Sequence, residues 1–264
     1  MYNERMKSEP LLPPERHALI LKQLATDGRV LAAALARELN VTEDTIRRDL
    51  RDLAAAGLCQ KVYGGAVRIA AAPEGGTLVQ RMQRQQDDKS RLAAAAAQLV
   101  APGSTVFLDA GSSNLAIAEA LPASPLTVLT NAPSIAARLL DKPHIDLIVI
   151  GGRVRQSLGG SVGATALREL ELMRPDLYFI GACGVDLQGG VTAVDYEEAE
   201  FKRRLSAQSK ATAVVATASK IGAVAAYGVL PISQLTHLIV EAGTSEEIAE
   251  AYAAAGTRLL RAGA

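Results

Sequence analysis

Four glycine-rich turns follow predicted strands in the C-terminal part of the sequence, and their residue types suit the binding of a small anion. The first turn, residues 109–114 with the sequence DAGSSN, runs from a strand into a helix. The N–H groups of Gly111, Ser112 and Ser113 would lie at a helix N-terminus, where free donors and the helix dipole favour a phosphate. Such a turn is also an ordinary connection between a strand and a helix, so this pattern alone leaves both interpretations open.

The other three turns place further glycines, with two arginines nearby, at the ends of strands. They lie at residues 151–153, after the apolar run IDLIVI, at residues 159–163 and at residues 181–184. Glycine lets the backbone approach a ligand closely, and Arg153 or Arg155 could pair with an anion, although Arg153 could equally be a surface residue. Ligands of open α/β sheets bind at the carboxyl ends of the strands, where these turns fall.

Two lysines could complete a phosphate site at this edge of the sheet. Lys220 follows a strand in the sequence TASK, and Lys202 lies one helical turn after Glu198. The alternative for Glu198 and Lys202 is a surface ion pair, worth only about 0.3–0.5 kcal/mol. The sequence leaves both interpretations of Lys202 open.

The segment TEDTIRRDLRDLAAAG, which starts at Thr42 and contains three arginines, predicts an amphipathic helix. Thr42 is a good N-cap residue, and Ile46, Leu50 and Leu53 recur at the spacing of a face that packs on a core. Arginine on the other faces can bind guanine through two hydrogen bonds or neutralise phosphate. The candidate DNA-binding residues of this helix and the following hairpin are Thr42, Glu43, Thr45, Arg47, Arg48, Arg51, Lys61 and Tyr63.

Arginine-rich helices are often only solvated surfaces. Pairing of Arg47 with Asp44, or of Arg48 with Asp52, would be such a case. The elements around the helix favour DNA binding over this alternative, because together they have the order of a winged helix-turn-helix.

Helical spacing predicts two helices before the arginine-bearing one, at residues 13–28 and 31–39, and a tight turn leads into the third. Two short strands, at residues 58–63 and 66–69, surround a Gly-Gly pair that is typical of a hairpin turn. In this arrangement the third helix enters the major groove of DNA.

Beyond a short segment with Pro and Gly at residues 70–77, strand-like and helix-like runs alternate, which predicts an open α/β sheet. The sequence therefore predicts a winged helix-turn-helix domain at residues 13–69 and an open α/β domain at residues 78–264. Strands are predicted at residues 105–109, 126–130, 145–150, 176–181, 213–216 and 238–241. Helices are predicted at residues 79–100, 114–121, 134–140, 165–173, 196–209 and 245–255.

The composition of the chain narrows the class of protein. Its 264 residues, 49% of them apolar, allow two domains with a sizeable core. Lys plus Arg and Asp plus Glu each total 28, which argues against coating nucleic acid through bulk charge but allows a local basic face. Cys59 and Cys183 stand in no metal-binding motif, and no signal peptide or membrane span is predicted. We expect a cytoplasmic protein without a metal or cofactor.

The segment ERHALILKQLATDGRVLAAALARELNVTEDTIRRDLRDLAAAGLCQKVYGGAV resembles the helix-turn-helix of the DeoR family of transcriptional regulators. The motifs TIRRDL and the terminal GGA are the parts of this segment that are most specific to the family. The family usually has Ser where Thr42 stands, a harmless change for a helix cap. It often has Arg and His on the wing, where this chain has Gln60, Lys61 and Tyr63.

The segments FLDAGSSNLAIAEAL, IGGRVRQSLGGSVGATAL, EEAEFKRRL and TASKIG resemble motifs of the DeoR-type sensor domain. That domain is similar in fold to ribose-5-phosphate isomerase and binds sugar phosphates or related metabolites as inducers. By this resemblance the effector pocket is lined by Asp109, Gly111, Ser112, Ser113, Thr130, Asn131, Gly152, Arg153, Gly181, Glu198, Lys202 and Lys220. The family commonly has Asp where Thr217 stands, and this change could alter which sugar hydroxyls are recognised.

The residues and the resemblance together predict a repressor of a carbohydrate-metabolism operon. It would bind an operator in double-stranded DNA as a homo-oligomer, a dimer or tetramer, and release it when a phosphorylated metabolite binds. Two alternatives are weighed against this prediction, a nucleoid-type or RNA-binding protein and an enzyme. The balanced charge argues against the first. The second would be a sugar-phosphate isomerase or an acyl-CoA-type transferase on the same fold.

An isomerase needs a base near the substrate carbon, and Asp186, Asp195, Glu197 and Glu198 are available for that role. A DNA-binding module serves no purpose in catalysis, so the sequence favours a regulator that is not an enzyme.

Overall fold

A computed structural model describes residues 11–27, 29–56, 58–62, 64–67, 76 and 78–263 of the chain. These residues fall into two compact units, Met1–Ala70 and Ala71–Ala264, and each unit buries a core of its own. The segment between the two predicted domains lies largely outside the described residues, so the predicted domain limits, 13–69 and 78–264, stay a prediction.

The N-terminal unit combines helices with a small antiparallel sheet. Its described elements are α1 (Pro13–Asp27), β1 (Arg29–Leu31), α2 (Ala32–Glu38), α3 (Glu43–Ala55), β2 (Gln60–Val62) and β3 (Gly65–Val67). Strand β3 pairs with both β1 and β2 in antiparallel fashion. The predicted helix-turn-helix is confirmed, with α2 and α3 separated by a turn in which Asn40 has a positive φ of 52°.

The predicted helix over residues 31–39 is wrong at its start. Residues Arg29–Leu31 form β1, because their backbone finds hydrogen-bonding partners in β3 of the later hairpin. A three-residue strand carries no readable periodicity, and its partner lies far along the sequence. Leu31 is consequently exposed, and α2 packs on the core through Ala32, Leu35 and Ala36.

The predicted start and inner face of α3 are confirmed. The side chain of Thr42 accepts a hydrogen bond from the backbone N–H of Thr45 at 3.2 Å, which caps the helix. Ile46, Leu50 and Leu53 are buried in the core of the N-terminal unit. Their burial fixes which residues of α3 are left to face solvent.

The C-terminal unit alternates strands and helices. Its described elements are α4 (Leu78–Gln83), α5 (Gln86–Ala97), β4 (Thr105–Leu108), α6 (Ser112–Ala120), β5 (Leu126–Thr130), α7 (Pro133–Leu139), β6 (Ile145–Val149), β7 (Val154–Arg155), β8 (Gly160–Ser161), α8 (Ala164–Leu170), β9 (Leu177–Ile180), β10 (Gly184–Asp186), β11 (Gly190–Ala193), α9 (Tyr196–Gln208), β12 (Ala211–Ala216), β13 (Tyr227–Leu230), β14 (His237–Val240), α10 (Glu246–Ala254) and β15 (Arg258–Arg261). No helix within the described ranges combines the length and the apolar character needed to cross a membrane.

The main sheet of this unit is parallel and, among the described residues, has seven strands in the order β15-β14-β12-β9-β4-β5-β6. From β4 the chain moves outward to β5 and β6, then returns to β9 on the other side of β4. The strand order therefore reverses between β4 and β9, which is where ligands bind in open α/β sheets. The predicted α/β fold class is confirmed.

Both faces of the central strands are covered, which explains the continuous apolar runs in β4, β9 and β12. The edge strand β6 differs, because Ile148 and Val149 are 40% and 46% exposed. In β4, Val106 and Leu108 point into one core cluster and Phe107 into the other, because successive side chains of a strand alternate. In β9, Phe179 and Tyr178 divide in the same way.

The predicted single helix over residues 79–100 is wrong. The structure has two helices, α4 and α5, separated at Gln85, whose φ is +50°. The ammonium group of Lys89 donates hydrogen bonds to the backbone oxygens of Arg81 and Arg84, the latter at 2.7 Å. In a continuous helix these oxygens would accept hydrogen bonds from backbone N–H groups, so a lysine side chain replaces part of the helical hydrogen bonding.

Several short strands were not predicted. β10, β11 and β13 form a separate antiparallel sheet, β7 and β8 form a hairpin, and β15 is an edge strand of the main sheet. Each has four residues or fewer, too few for a pattern of alternation to stand out.

Candidate functional site

The face of α3 away from its core carries most of the residues predicted to bind DNA. Thr42, Glu43, Arg48 and Arg51 are exposed. Thr45 is half-buried, and its hydroxyl lies 2.9 Å from the hydroxyl of Thr42. The N-terminal half of the helix therefore presents hydroxyl and guanidinium groups to solvent.

Arg47 is also exposed, but it pairs along its own helix. A terminal nitrogen lies 2.8 Å from Glu43 Oε2, and the other lies 3.6 Å from Asp44 Oδ1. Surface pairs of this kind are worth about 0.3–0.5 kcal/mol, so a DNA phosphate could displace them. Arg48 forms no ion pair with Asp52 among the described residues. The pairing that would make Arg48 only part of a solvated surface is therefore not observed.

The hairpin contributes one described candidate. Lys61 is an exposed residue of β2. Tyr63, the other candidate on the hairpin, lies outside the described residues.

A cavity of about 300 Å³ lies in the C-terminal unit, at the carboxyl ends of β4, β9 and β12. It falls at the point where the strand order reverses, between β4 and β9. Of the predicted effector-binding residues, the cavity is lined by Gly111, Ser112, Ser113, Gly181, Glu198 and Lys220. The other predicted residues lie outside this lining, namely Asp109, Thr130, Asn131, Gly152, Arg153 and Lys202.

Asp109 lies behind the cavity wall and is 1% exposed. Its Oδ2 accepts hydrogen bonds from the hydroxyl of Tyr178 and the backbone N–H of Gly181, both at 3.0 Å, and its Oδ1 accepts from the N–H of Ala110 at 2.8 Å. Burial, with the adjacent Asp109 carboxylate, raises the pKa of Tyr178 well above its ordinary value. Asp109 thus joins the ends of β4 and β9 and shapes the wall of the cavity.

Thr130 and Asn131 likewise hold the loops in place. Thr130 is buried, and its hydroxyl donates to the backbone oxygen of Leu108 at 2.6 Å. Asn131 accepts from the N–H of Ala110 at 3.1 Å and donates to the backbone oxygen of Ser161 at 3.1 Å. Both side chains therefore form hydrogen bonds to the backbone of neighbouring loops and do not line the cavity.

Gly152 and Arg153 follow the edge strand β6 and are exposed. The second arginine of that turn, Arg155, lies 2.5 Å from Asp195 Oδ2 and 2.5 Å from Glu197 Oε2. Its guanidinium group is therefore held by carboxylates of α9 and of the residue that caps it.

Lys202 is buried beneath the cavity floor, 1% exposed, so the interpretation as a surface ion pair is wrong. Its ammonium group donates to Glu198 Oε1 and to the backbone oxygen of Gly181, and it lies 3.5 Å from Asp109 Oδ2. Burial disfavours the charge, but attraction to the Asp109 and Glu198 carboxylates outweighs burial and raises the pKa of Lys202. This face of α9 packs on the sheet, which the i,i+4 spacing alone could not reveal.

Glu198 has one carboxylate oxygen that is held and one that is buried without a described partner. The residue is 8% exposed and lines the cavity. Oε1 accepts from Lys202, whereas Oε2 is buried and has no hydrogen-bond partner within the described part of the chain. A buried acceptor without a partner is uncommon and calls for a physical reason.

Lys220 provides a cationic group in the cavity wall. Its ammonium group donates to Ser113 Oγ at 3.3 Å. Burial lowers the pKa of Lys220 to about 8, and repulsion from Lys89, Lys202 and Arg81 also lowers it. Helix α6 begins beside it without a side-chain cap, so the first N–H groups of the helix have no intrahelical partner. Together these donors suit an anion.

Residues 16–72 of the sequence match the DeoR-like helix-turn-helix domain, and residues 84–242 match the DeoR C terminal sensor domain. The chain belongs to the DeoR family of transcriptional regulators. The family predicted from TIRRDL and the sensor-domain motifs is thereby confirmed. As a DeoR-family regulator, the chain binds DNA through its N-terminal helix-turn-helix and carries a sensor domain after it.

Curated relatives of this DeoR-family chain match it over most of its length. An uncharacterized HTH-type transcriptional regulator of Escherichia coli strain K12 is 34% identical over 245 residues, which cover 91% of this chain and 94% of the relative. The glycerol-3-phosphate regulon repressor of the same strain is 32% identical over 209 residues, which cover 79% of this chain and 82% of the relative.

Among solved structures, ribose 5-phosphate isomerase A of Methanocaldococcus jannaschii is similar at a TM-score of 0.37 and 16% identity. The similarity covers 52% of the DeoR-family chain and 54% of the isomerase. At this level the likeness concerns the fold alone.

Two cationic residues of the cavity in this DeoR-family chain were not predicted from the sequence. Arg81 and Lys89 line it, from α4 and α5 respectively. Lys89 shares one helical face with Leu92, Ala93 and Ala96, which are buried. The sequence does show a lysine at the start of an apolar helical face. Its place in the cavity could not be predicted, because it depends on the break between α4 and α5. Cys183, Asp195 and Thr217 also line the cavity.

Proposed function

We propose that this chain represses a carbohydrate-metabolism operon and leaves its operator when a phosphorylated sugar or related metabolite binds in the cavity. The observation that carries the proposal is the meeting of Lys220, Ser113 and the uncapped start of α6 in the cavity at the switch point of the sheet. These groups are donors with positive character, and phosphate is the common metabolite group that suits them.

The size of the cavity and the relatives support the same class of ligand. A volume of about 300 Å³ suits a small metabolite rather than a dinucleotide. One relative is named a glycerol-3-phosphate regulon repressor, and another is named a putative aga operon transcriptional repressor. Both names support control of a carbohydrate operon.

Release of DNA requires an effector that binds two states of the protein with different affinity. In the proposed mechanism a homo-oligomer, a dimer or tetramer, places paired α3 helices on operator half-sites, and symmetry multiplies the contacts of one module. The effector binds better to a state in which the spacing of the helices no longer fits the operator. Because the proposed function requires access to operator DNA inside the cell, the cytoplasm is the expected location.

The proposal is tested with the full-length chain and DNA from upstream of its own gene. A screen of sugar and polyol phosphates by thermal unfolding should find compounds that raise the melting temperature, because a ligand of the native state stabilises it. The same compounds should weaken DNA binding in fluorescence anisotropy. The proposal is overturned if no phosphorylated compound stabilises the chain, or if those that do leave DNA binding unchanged.

The isomerase alternative has a single candidate base in the cavity. Asp195 and Glu197 are paired with Arg155, and Asp186 lies outside the cavity lining and accepts from backbone N–H groups, at 2.7 Å from Gly189. Of the four, only Asp195 and Glu198 line the cavity, and Glu198 is the one that Arg155 does not hold; its carboxylate is paired with Lys202 instead. Incubation with ribose 5-phosphate and assay for the ketose tests this alternative, and steady turnover would establish it.

A further inference from the structure

The two edges of the seven-stranded sheet differ in how they meet solvent. The edge strand β15 has the sequence RLLR, and the exposed Arg258 and Arg261 place a charge at each end of it, as edge strands commonly do to prevent pairing with another chain. The opposite edge strand, β6, has Ile148 and Val149 exposed instead. Successive side chains of a strand point to opposite faces, so apolar groups are open to solvent on both faces of this edge.

The backbone of β6 also presents hydrogen-bonding groups at this edge. Toward β5, the N–H of Ile150 donates to the backbone oxygen of Thr130 at 2.8 Å. Alternate residues of a parallel strand bond to the same neighbour, so the backbone groups of Leu147 and Val149 point away from β5. Within the part of the chain that the structure describes, no strand pairs with β6 on that side. The edge is therefore open to a further strand.

The charges beside β6 make the strand complementary to itself. Within residues 141–153, Asp141 and Asp146 are exposed at its start and Arg153 is exposed after its end. These three form no ion pair among the described residues. Lys142 is turned toward α6, where its ammonium group donates to the backbone oxygen of Ala118 at 2.8 Å. Antiparallel pairing of two copies would bring the acidic start of one strand to the basic end of the other.

We propose that two copies of this chain pair through β6 in antiparallel fashion, across a two-fold axis, so that their two seven-stranded sheets become one continuous sheet. The inference rests on the proposed function, which requires a homo-oligomer, and it names the surface that joins two copies. An interface of this kind is isologous, because the same strand serves on both sides. Leu140 and Val154 are exposed on either side of β6 in the sequence and add to the apolar area that pairing can bury.

The direction of the backbone groups restricts the register. Leu147 and Val149 point outward, so they form the hydrogen-bonded pairs of the interface and Ile148 falls at a non-hydrogen-bonded position. With the two-fold axis at Ile148, this residue meets its own counterpart, and Leu147 meets Val149 of the second copy. An axis at Leu147 would instead set Ile148 against the charged Asp146. The first register therefore buries the exposed apolar residues against one another.

The oligomeric state of the full-length chain, measured by sedimentation equilibrium, tests this interface. The unchanged chain should be a dimer or tetramer at micromolar concentration. Ile148→Lys places two ammonium groups opposite each other across the axis, so the dissociation constant should rise about tenfold or more. Leu172→Lys, in the turn after α8 at a position that is 92% exposed, is the matched control and should assemble as the unchanged chain does. Thermal unfolding checks that both variants fold.

The variant Ile148→Cys tests the register directly. Opposite Cα atoms at a non-hydrogen-bonded position of antiparallel strands lie about 4.5 Å apart, which is within the range of a disulfide. Oxidised glutathione should therefore link two copies of this variant into a covalent dimer on a non-reducing gel. Leu172→Cys is the control and should stay unlinked, as should the unchanged chain with its free Cys59 and Cys183.

The outcomes separate this interface from the function on which it rests. If Ile148→Lys assembles as the unchanged chain does, or if Ile148→Cys links no better than Leu172→Cys, the pairing through β6 is overturned while control of an operon by an effector stands. If the unchanged chain is monomeric both alone and on its operator DNA, the interface and the homo-oligomer of the proposed mechanism fail together. Cross-linking uses neither effector nor DNA, so a failure of phosphate sensing leaves its result unaffected.

Discussion

Arg16 and Asp49 form a buried pair that joins α1 to α3, the helix that carries most of the predicted DNA-binding residues. The Nε atom of Arg16 lies 2.8 Å from Asp49 Oδ2 and its Nη2 atom lies 3.0 Å from Asp49 Oδ1, so both carboxylate oxygens are held. The side chains are 10% and 4% exposed. Hydrogen bonding to Asp49 raises the pKa of Arg16. Two parallel hydrogen bonds fix orientation as well as distance, so the pair sets the angle at which α3 leaves the core.

Replacing Asp49 by Asn should therefore destabilise the N-terminal unit and weaken DNA binding together. The change removes the negative partner of a buried guanidinium group, which we expect to cost about 2–4 kcal/mol. Urea unfolding and fluorescence anisotropy with operator DNA measure the two effects. Asp52→Asn, on the same helix at an exposed position, is the control and should change stability by less than about 0.5 kcal/mol. Equal stability of the two variants would contradict the anchoring role.

Arg48 should contribute to DNA binding and not to effector binding. It is exposed on α3, and in Arg48→Ala we expect a loss of about 1–3 kcal/mol in operator affinity if it contacts a base edge. If it contacts a phosphate instead, the salt dependence of binding should become less steep by about one counterion. Arg138→Ala removes the same charge from α7 of the C-terminal unit and should leave operator affinity unchanged. Unaltered DNA binding by Arg48→Ala would exclude the assigned face.

Much of the fold could be predicted because its central strands are buried on both faces and its helices have one apolar face. Ile46, Leu50 and Leu53 predicted the inner face of α3. The run IDLIVI predicted β6, although that edge strand is not covered on both faces, since Ile148 and Val149 are 40% and 46% exposed. Where structure depends on distant partners the sequence was insufficient. Strand β1 exists because β3 returns to it, and the break at Gln85 exists beside carbonyls that Lys89 satisfies.

For the candidate site, the sequence located the loops but could not divide their polar residues by role. Asp109, Thr130 and Ser113 all lie at or just after the ends of parallel strands. The side chains of Asp109 and Thr130 form hydrogen bonds within the protein, whereas Ser113 lines the cavity. That division depends on which way each side chain points at the strand end. The direction of each side chain depends on the tertiary structure and cannot be predicted from the spacing of residues in the sequence.

Gly181 should tolerate no side chain. A Cβ at this position would lie 2.4 Å from the backbone oxygen of Ala110 and 3.2 Å from Asp109 Oδ2, so the β4 and β9 loops would have to separate. Gly181→Ala should cost about 1–3 kcal/mol in stability, as overpacked sites do, and weaken phosphate binding in the cavity. In Gly228→Ala the new Cβ meets no atom within 4 Å, and this control should be close to neutral. Calorimetric unfolding with and without inorganic phosphate compares them.

Lys220 should lower the stability of the folded chain at neutral pH, because its ammonium group is buried near other cations. The same positive charge is what we expect to bind an anion. In the folded chain its pKa is lowered from 10.5 to about 8, first by burial and then by neighbouring cations. Between pH 8 and 10.5 the unfolded chain holds a proton that the folded chain lacks, so the contribution of Lys220 to stability rises with pH across this window. Below pH 8 the charged ammonium group is present in both states, and its full cost falls on the folded one.

Lys220→Met should consequently be more stable than the unchanged chain at pH 7, by about 1–2 kcal/mol, because partial exposure to water screens some of the repulsion. This advantage should shrink as pH rises from 8 toward 10, while binding of inorganic phosphate is lost at every pH. Urea unfolding at pH 7 and pH 10, with phosphate binding measured at pH 7, checks both effects. A stability difference that stays constant with pH would show that the cost of Lys220 is not electrostatic, and retained phosphate binding would remove it from the anion site.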